Sequence, residues 1–546
     1  MRLLDRLARL LLPAPADLVD YPFVASDVAL YQRTVHGHDD NDGAVDPQTW
    51  TDLLLAQYSA RLAPGTSIFG QQELHRRLLA PDGSTVPASA AQVRALVAEP
   101  DRRQRLQTAC EGLRRADREV SETLFGATLA PTPRWVRLLA WLPPVFLASI
   151  VLALVLGWLP LWGAAIVLWL ALMAIQVQFH DAAAQWQRVL DTIAQLLRAH
   201  VLLAGLDDPA SAALRPDAGA AGKLNRRLAR SPLANMTGMR EYSEWIWLSN
   251  IRHYFASRAV VAAHLPLLRA SFARVAAVEA DVALARHLAH TPLYCWAETS
   301  PDADANAEAE ADANAEADAD TDAGARFAFE QAVHPLLAAP APLSLRVGDD
   351  GRGAFISGQN GIGKSTLLRT VGLNLITARA FGFCYAQAAV TPGLPVYASM
   401  QNEDALDSGE SLYVAEVRRA GELLALSRRG PAIFLIDEIF RGTNHLESVS
   451  AAAAVLDTLA ASGRVLVSSH NLILARLLAR RLAPLCVERL NGRLLVSTAI
   501  LKETNGMALL ATIDRDGVLA AKSARVYDRL GDYYLAYPDG CDSVLD

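Results

Sequence analysis

Gly358-Gln359-Asn360-Gly361-Ile362-Gly363-Lys364-Ser365-Thr366 satisfies the pattern G-x-x-x-x-G-K-[ST] in full, with an apolar run (Ala354, Phe355, Ile356) before it and a helix-like run (Leu367 to Ile376) after it. Strand, glycine loop and helix in this order make a phosphate-binding loop. The glycines let the backbone curl so that its N–H groups point at a β-phosphate, Lys364 reaches the β/γ-phosphates, and the Ser365 hydroxyl is placed to ligate Mg²⁺. The stretch predicts a site for a nucleoside triphosphate and Mg²⁺ made by Gly358, Gly361, Gly363, Lys364, Ser365 and Thr366.

The surroundings of the loop fit this reading. From Arg326 onward, short apolar runs (Leu343–Val347, Ala354–Ser357, Ala432–Asp437, Arg464–Ser468) alternate with helical ones (Ser411–Ser427, His445–Ala461 and a last helix from Leu472). Strands alternating with helices predict an α/β P-loop NTPase domain. Ala432-Ile433-Phe434-Leu435-Ile436-Asp437-Glu438 is an apolar strand that ends in two carboxylates. Asp437 at the strand end can hold the Mg²⁺ shell, and Glu438 can orient or deprotonate an attacking water. Val465-Leu466-Val467-Ser468-Ser469-His470 is a second strand, ending in a histidine that in isolation reads as structural and, as part of a set with Lys364 and Glu438, is placed to sense a γ-phosphate.

Upstream, the chain changes character. Its 546 residues exceed what one core usually holds, so several domains are expected. The net charge is −7, but 302–322 alone carries nine carboxylates and no base, so the remainder is slightly positive. Charge therefore neither selects nor excludes nucleic acid. That stretch alternates Ala with Asp, Glu or Asn, offers no apolar face, and reads as a disordered linker. The five scattered cysteines contain no C-x-x-C pair and imply a reducing compartment.

Leu138 to Phe179 is a run of 42 residues without Asp, Glu, Lys, Arg or His, about twice the ~20 needed to cross a bilayer core. Gly157-Trp158-Leu159-Pro160 breaks it, so Leu138–Leu156 and Leu161–Phe179 are expected to form a two-helix transmembrane hairpin, with Trp141, Trp158 and Trp162 near its ends. Arg134 and Arg137 favour a cytoplasmic start. A hairpin then returns the chain to the same side, which puts the N-terminal and ATPase domains in the cytoplasm at a bacterial-type inner membrane.

The remaining segments read as helical. The first eleven residues make an amphipathic helix, either packed on its own domain or lying on a membrane surface. Arg102, Arg103, Arg105, Arg114, Arg115 and Arg118 form a basic group that can meet phosphates or simply be a solvated helix face, since acids are interleaved. Beyond Asp181, long helices over Trp186–Leu206, Met239–Arg252 and Val260–His290 suit levers, with Pro209–Gly222 as a loop between them. The expected organisation is a helical N-terminal domain (1–130), the hairpin (134–180), lever-like core helices (181–297), the acidic linker (298–324) and the ATPase domain (325–546).

A family resemblance rests on Ser399-Met400, Asp404, Ser408-Gly409-Glu410-Ser411, Glu416, Asp437-Glu438-Ile439-Phe440-Arg441-Gly442-Thr443-Asn444 and Ser469-His470. Together with Val333-His334-Pro335-Leu336-Leu337, these resemble the ATPase domain of the MutS family of mismatch-repair proteins over about 325–513. More weakly, Asp46-Pro47-Gln48-Thr49-Trp50-Thr51-Asp52-Leu53 and the helix around Glu279–Arg286 look like the N-terminal and core-helix portions of membrane-linked MutS-related proteins. The resemblance implies a homodimer with composite ATP sites, in which Ser411 is offered across the interface and Asn360 helps to place the attacking water. Gln359 departs from the family's usual proline.

The family's mismatch reader is a Phe-x-Glu element, and none of the 14 phenylalanines is followed at i+2 by glutamate. Two functions stay open: a membrane-anchored ATPase coupling ATP to DNA binding or damage sensing, and a mechanochemical membrane ATPase acting on protein partners without DNA.

Overall fold

The computed structural model describes residues 20–36, 43–126, 129–230, 239–300, 326–400, 412–490 and 493–501, with 522–523 and 525–526. The expected helix at 1–11, the acidic stretch 302–322 and Ser411 lie outside the described residues. The chain divides into two units: one of 1–40, 61–76 and 92–289, the other of 41–60, 77–91 and 290–546. The second therefore takes in two N-terminal segments that a linear division of the sequence leaves with the first.

The first unit is helical. Its core gathers Tyr31, Phe69, Phe125 and Phe272, whose rings lie 4.7–5.4 Å apart. The long helix Leu265–Ala289 buries 14 side chains, including Glu279. That carboxylate accepts from Ser67 N (2.8 Å), Ser67 Oγ (2.5 Å) and Gly70 N (3.0 Å). It thereby satisfies the free amides at the start of the helix Ile68–Leu79. Gly70 is needed there, because a Cβ would stand 3.0 Å from that carboxylate and 2.6 Å from Thr66. One turn or more further on, Arg286 donates to Gly65 O (2.9 Å) and Thr66 Oγ1 (2.9 Å).

Three of the six arginines of the basic group near 102–118 are engaged within this unit, and Arg105, Arg115 and Arg118 are exposed. Arg102 holds Asp208 through two bonds of 2.6 and 2.9 Å, Arg103 donates to Leu96 O, and Arg114 pairs with Asp20 at 2.6 Å. Pro100 splits the helix expected over Val93–Leu106 into Val86–Ala98 and Pro100–Cys110. Pro209–Gly222 is not a loop: Asp208 caps a 3-10 turn over Pro209–Asp217, which runs on into the helix Ala218–Leu228.

The uncharged run folds as two packed apolar helices, Leu142–Leu156 and Leu159–Ala204, after a 3-10 turn over Arg134–Ala140. Gly157 takes the left-handed conformation (φ 62°) that ends the first, and Pro160 sits in the first turn of the second. By length and composition the stretch Arg134–Leu156, which includes that turn, and the helix Leu159–Ala204 are both capable of crossing a membrane. The second does not stop at Phe179. It continues as one 46-residue helix through the segment expected to be separate, about 69 Å at 1.5 Å per residue, because no glycine or proline intervenes between Ala164 and Gly205. Likewise Met239–Trp247, Ser249–Ala263 and Leu265–Ala289 are three helices where two were expected.

The second unit is built on strands β1 (Cys295–Trp296), β2 (Glu298–Thr299), β3 (Phe327–Ala332), β4 (Leu343–Val347), β5 (Gly353–Gly358), β6 (Phe383–Cys384), β7 (Ala388–Thr391), β8 (Val396–Ser399), β9 (Ile433–Asp437), β10 (Arg464–Ser468), β11 (Leu482–Leu490) and β12 (Arg493–Ser497). Ten of them form one mixed sheet in the order β2-β7-β3-β4-β12-β11-β5-β10-β9-β8. From β11 to β8 the strands are parallel. β5, β9 and β10 are buried along their whole lengths, as strands covered on both faces must be.

The last helix expected from Leu472 is only Ile473–Leu477, and the chain then makes β11 and β12. Pro484 hides this strand from a propensity reading. It is tolerated because β12 begins to pair only at Cys486, so Pro484 lies where β11 has one neighbour.

The edge strand β8 is covered by the short helix Pro47–Asp52. Asp46 caps that helix through Gln48 N and Thr49 N (both 3.1 Å). Thr49 Oγ1 donates to Asp46 Oδ2 (2.6 Å) and accepts from Ala398 N (2.7 Å), while Asp52 Oδ2 accepts from Met400 N (2.8 Å). Two alternate amides, of Ala398 in β8 and of Met400 just beyond it, are thus satisfied by side chains, which blocks pairing of this free edge with another chain. Arg419, on the helix Leu412–Ser427, pairs with Asp46 at 3.0 Å.

Burial pushes the Asp52 carboxyl from 3.8 up to about 6, against the lowering effect of Met400 N, Gln48, Arg419 and Arg369. A group raised on folding contributes stability that is complete below its unfolded value and is lost as pH rises through its folded value. Urea unfolding at a series of pH values is expected to show this loss between 3.8 and about 6. Asp52→Asn, which keeps an acceptor for Met400 N, should make that fall shallower, and an unchanged slope would refute the assignment.

Candidate active site

The ends of three adjacent parallel strands make the site. In register, Ile356 of β5 stands beside Ser468 of β10, and Ser468 beside Asp437 of β9. Each strand then leaves the sheet at the same level: β5 into Gly358–Gly363, β9 into Glu438–Asn444, β10 into Ser469–His470. This is the carboxyl edge of a parallel sheet, where open α/β folds bind ligands.

Local chemistry shapes the first loop. Gly361 (φ 75°) and Gly363 (φ 111°) adopt left-handed backbone that side chains resist. At Gly358 a Cβ would lie 2.9 Å from Val487 O on β11, so only glycine fits. The helix Lys364–Phe381 begins directly behind them, with its first amides turned to the loop. Ser365 and Thr366 are half-buried in its first turn, and Gln359, Asn360 and Gly361 are exposed.

Lys364 is buried, and its Nζ donates to Gly358 O (2.9 Å) and Gln359 O (3.2 Å). Burial lowers its pKa, and the charges of Glu438 and Asp437 act the other way. Arg489, on β11, is a second cation that sequence reasoning missed. Its Nη2 is 4.0 Å from where a Cβ at Gly363 would stand. Nothing in its local sequence marks it, because only the pairing of β11 with β5 brings it to the loop.

The two carboxylates differ in setting. Asp437 is buried at the end of β9 and accepts a short hydrogen bond from Ser468 Oγ. Glu438 is half-buried in left-handed backbone (φ 57°), a conformation a non-glycine residue keeps only where its surroundings impose it. Its amide donates to Ser468 O (2.9 Å). Its carboxylate meets His470 Nε2 at 2.5 Å and Arg441 Nε at 3.1 Å. Burial works to raise the Glu438 pKa. The hydrogen bond and charge of His470, with the charges of Arg441 and Lys364, outweigh it and hold the group below the ordinary glutamate value.

The loop after Glu438 is itself held. Glu416 Oε1 and Oε2 accept from Arg441 N and Gly442 N, each at 3.2 Å. Gly442 passes so close to the helix Leu412–Ser427 that a Cβ would stand 2.6 Å from Tyr413 N. Asn444 caps the helix His445–Ser462 by accepting from Glu447 N (3.0 Å). Glu438, His470, Asp437, Lys364 and the loop Gly358–Thr366 thus converge on one edge. Ser411 is the one candidate site residue outside the described residues.

Residues 354–509 match the family model "MutS domain V". The chain is 32% identical over 161 residues to "DNA mismatch repair protein MSH3" of Mycosarcoma maydis, covering 29% of this chain and 14% of that protein. It is 31% identical over 149 residues to "Endonuclease MutS2" of Thermus thermophilus, covering 27% and 20%. To "DNA mismatch repair protein MutS" of Thermotoga neapolitana it is 33% identical over 135 residues, covering 24% and 17%. The matching part thus spans between a seventh and a fifth of the length of these relatives.

Proposed function

Because its C-terminal part belongs to the MutS family, we propose that this chain is a membrane-anchored ATPase that couples ATP binding and hydrolysis to DNA binding or damage sensing. The observation that carries the reading is the convergence of Lys364, Asp437, Glu438 and His470 at the ends of β5, β9 and β10.

The loop amides and Lys364 bind the β- and γ-phosphates. The donor set also suits Mg²⁺: the Ser365 hydroxyl and the Asp437 carboxylate are hard oxygen ligands, and they would hold the ion. When bound, Mg²⁺ supplies charge neutralisation on the phosphate oxygens. Glu438, kept ionised by its neighbours, orients and deprotonates the attacking water with Asn360 beside it, and His470 senses the γ-phosphate. Two copies close on composite sites to which Ser411 contributes. In support, Leu412, Val414, Val417 and Leu446 are 42–71% exposed on the two helices bordering the Glu438 loop, an apolar surface suited to a partner subunit. The hairpin holds the protein in an inner membrane, with the helical and ATPase parts in the cytoplasm.

Similarity to DNA mismatch repair proteins supports DNA as the partner. One observation favours the rival reading, in which protein partners replace DNA: the basic group at 102–118 has Arg102, Arg103 and Arg114 bonded within its own unit. ATP turnover and affinity, with and without duplex, mismatched and branched DNA over a range of salt, separate the two. DNA binding that weakens steeply with salt is expected from phosphate contacts. Turnover indifferent to DNA, with no retardation at low salt, would sink the DNA reading and leave the ATPase standing.

A further inference from the structure

Four tryptophans are exposed around the foot of the apolar hairpin: Trp135 (40%), Trp141 (70%), Trp245 (41%) and Trp247 (44%). The first pair flanks the start of the first apolar helix, and the second pair belongs to the nine-residue helix Met239–Trp247. Leu248 brings them together. Its positive φ (49°) turns the chain from Met239–Trp247 into Ser249–Ala263, and its fully buried side chain packs with Leu139, Leu172, Ile251 and Phe255. Leu139 comes from the 3-10 turn leading into the first apolar helix and Leu172 from the second helix. The short helix is therefore pinned to the foot of the hairpin by a core contact.

Basic residues outnumber acidic ones in the same region, where Asp181 is exposed and Glu241 lies on the short helix beside Arg240. Glu244 is withdrawn into a pair with Arg230 at 3.1 Å, with both side chains about 15% exposed. Arg134, Arg137 and Arg252 are exposed. Trp135 also packs against Phe179 with tilted rings at 5.7 Å and edge-on against Phe255 at 5.5 Å, which ties this collar to the second arm at the end of the uncharged run. Indoles at the level where an apolar helix pair ends are the signature of a membrane–water interface, and cations there are drawn to lipid phosphate.

We infer that Met239–Trp247, with Trp135 and Trp141, forms an interfacial collar lying on an anionic lipid surface, where Arg134, Arg137 and Arg252 meet the headgroup phosphates. The inference rests on the hairpin's insertion proposed above. It adds a third membrane contact drawn from a segment that is neither long nor apolar enough to span, and it makes the protein selective for anionic bilayers.

The test uses the full chain in phosphatidylcholine vesicles with and without phosphatidylglycerol. A fluorescent amino acid at position 245 reports the collar, and one at position 154, which is 67% exposed on the first apolar helix, reports the hairpin. Lipid-borne quenchers are placed in the headgroup region or deep in the acyl chains. Expected is loss of signal at 154 to the deep quencher and at 245 to the shallow one, the latter increasing with phosphatidylglycerol. Combined Arg134→Gln, Arg137→Gln and Arg252→Gln should abolish that dependence on phosphatidylglycerol.

Quenching at 154 with none at 245 overturns the collar and leaves the hairpin intact. Energy transfer between copies labelled at 245, in place of quenching by lipid, assigns this face to a second copy and overturns the inference as well. No quenching at 154 refutes the insertion itself. A phosphatidylglycerol dependence unchanged in the arginine variant overturns the anionic selectivity.

Discussion

Glu438→Gln is expected to keep ATP binding and to lower turnover by about 10²–10⁴-fold, the range a positioned general base contributes. The geometry separates the two effects. In the proposed site the loop Gly358–Thr366 and Lys364 hold the nucleotide, and the hydrogen bonds of Lys364 go to Gly358 O and Gln359 O. A glutamine in the same left-handed backbone position still reaches His470 Nε2 and keeps the amide bond to Ser468 O. What it loses is the ability to take a proton.

Steady-state turnover together with a direct binding measurement checks this, and undiminished turnover would refute the assignment. The wild-type pH profile carries a second signature. Because His470, Arg441 and Lys364 hold the Glu438 carboxylate below its ordinary 4.5, its acid limb lies below that value and turnover is insensitive to this group at neutral pH.

Lys364→Ala is expected to weaken ATP binding by roughly 30-fold to several thousand-fold, the equivalent of the ~2–5 kcal/mol lost when one partner of a buried charge pair is truncated. The side chain is 7% exposed and is the cation that offsets Asp437 and Glu438 at the phosphate end of the site. Without it, a polyanion would have to approach two carboxylates with Arg489 the nearest remaining cation to Gly363. Titration calorimetry with a non-hydrolysed ATP analogue measures the loss. Since Lys364 also ties the loop to itself, thermal unfolding without nucleotide separates lost affinity from lost structure. A variant with normal stability and normal affinity would remove Lys364 from the site.

The parts of this site written in one place were readable in the sequence. The loop Gly358–Thr366, the strand ending in Asp437-Glu438 and the strand ending in Ser469-His470 each announce themselves, because a buried parallel strand is a continuous apolar run and the chemistry sits at its end. The supports of the site were not readable in that way. Glu416 reaches the Arg441–Gly442 amides from another helix, and Arg489 reaches the loop from β11, a strand disguised by Pro484. Neither has a local signal, since each acts through a contact between segments far apart in sequence. The hairpin was legible as two apolar segments. Its continuation into a 46-residue helix was not, because a change from apolar to amphipathic composition suggests a boundary where the backbone needs none.

The cover over β8 bears on what counts as a domain here. The family model matches from residue 354, yet the folding unit that contains it draws on residues 41–60 and 77–91. Thr49 and Asp52 supply acceptors for the amides of Ala398 in β8 and of Met400 just beyond it, and Leu53, fully buried, presses on Gly372. The segment that is inherited with the family is therefore smaller than the segment that folds. A fragment starting at Arg326 would keep every residue of the proposed nucleotide site and still expose a bare sheet edge, so its insolubility would say nothing about the chemistry it carries.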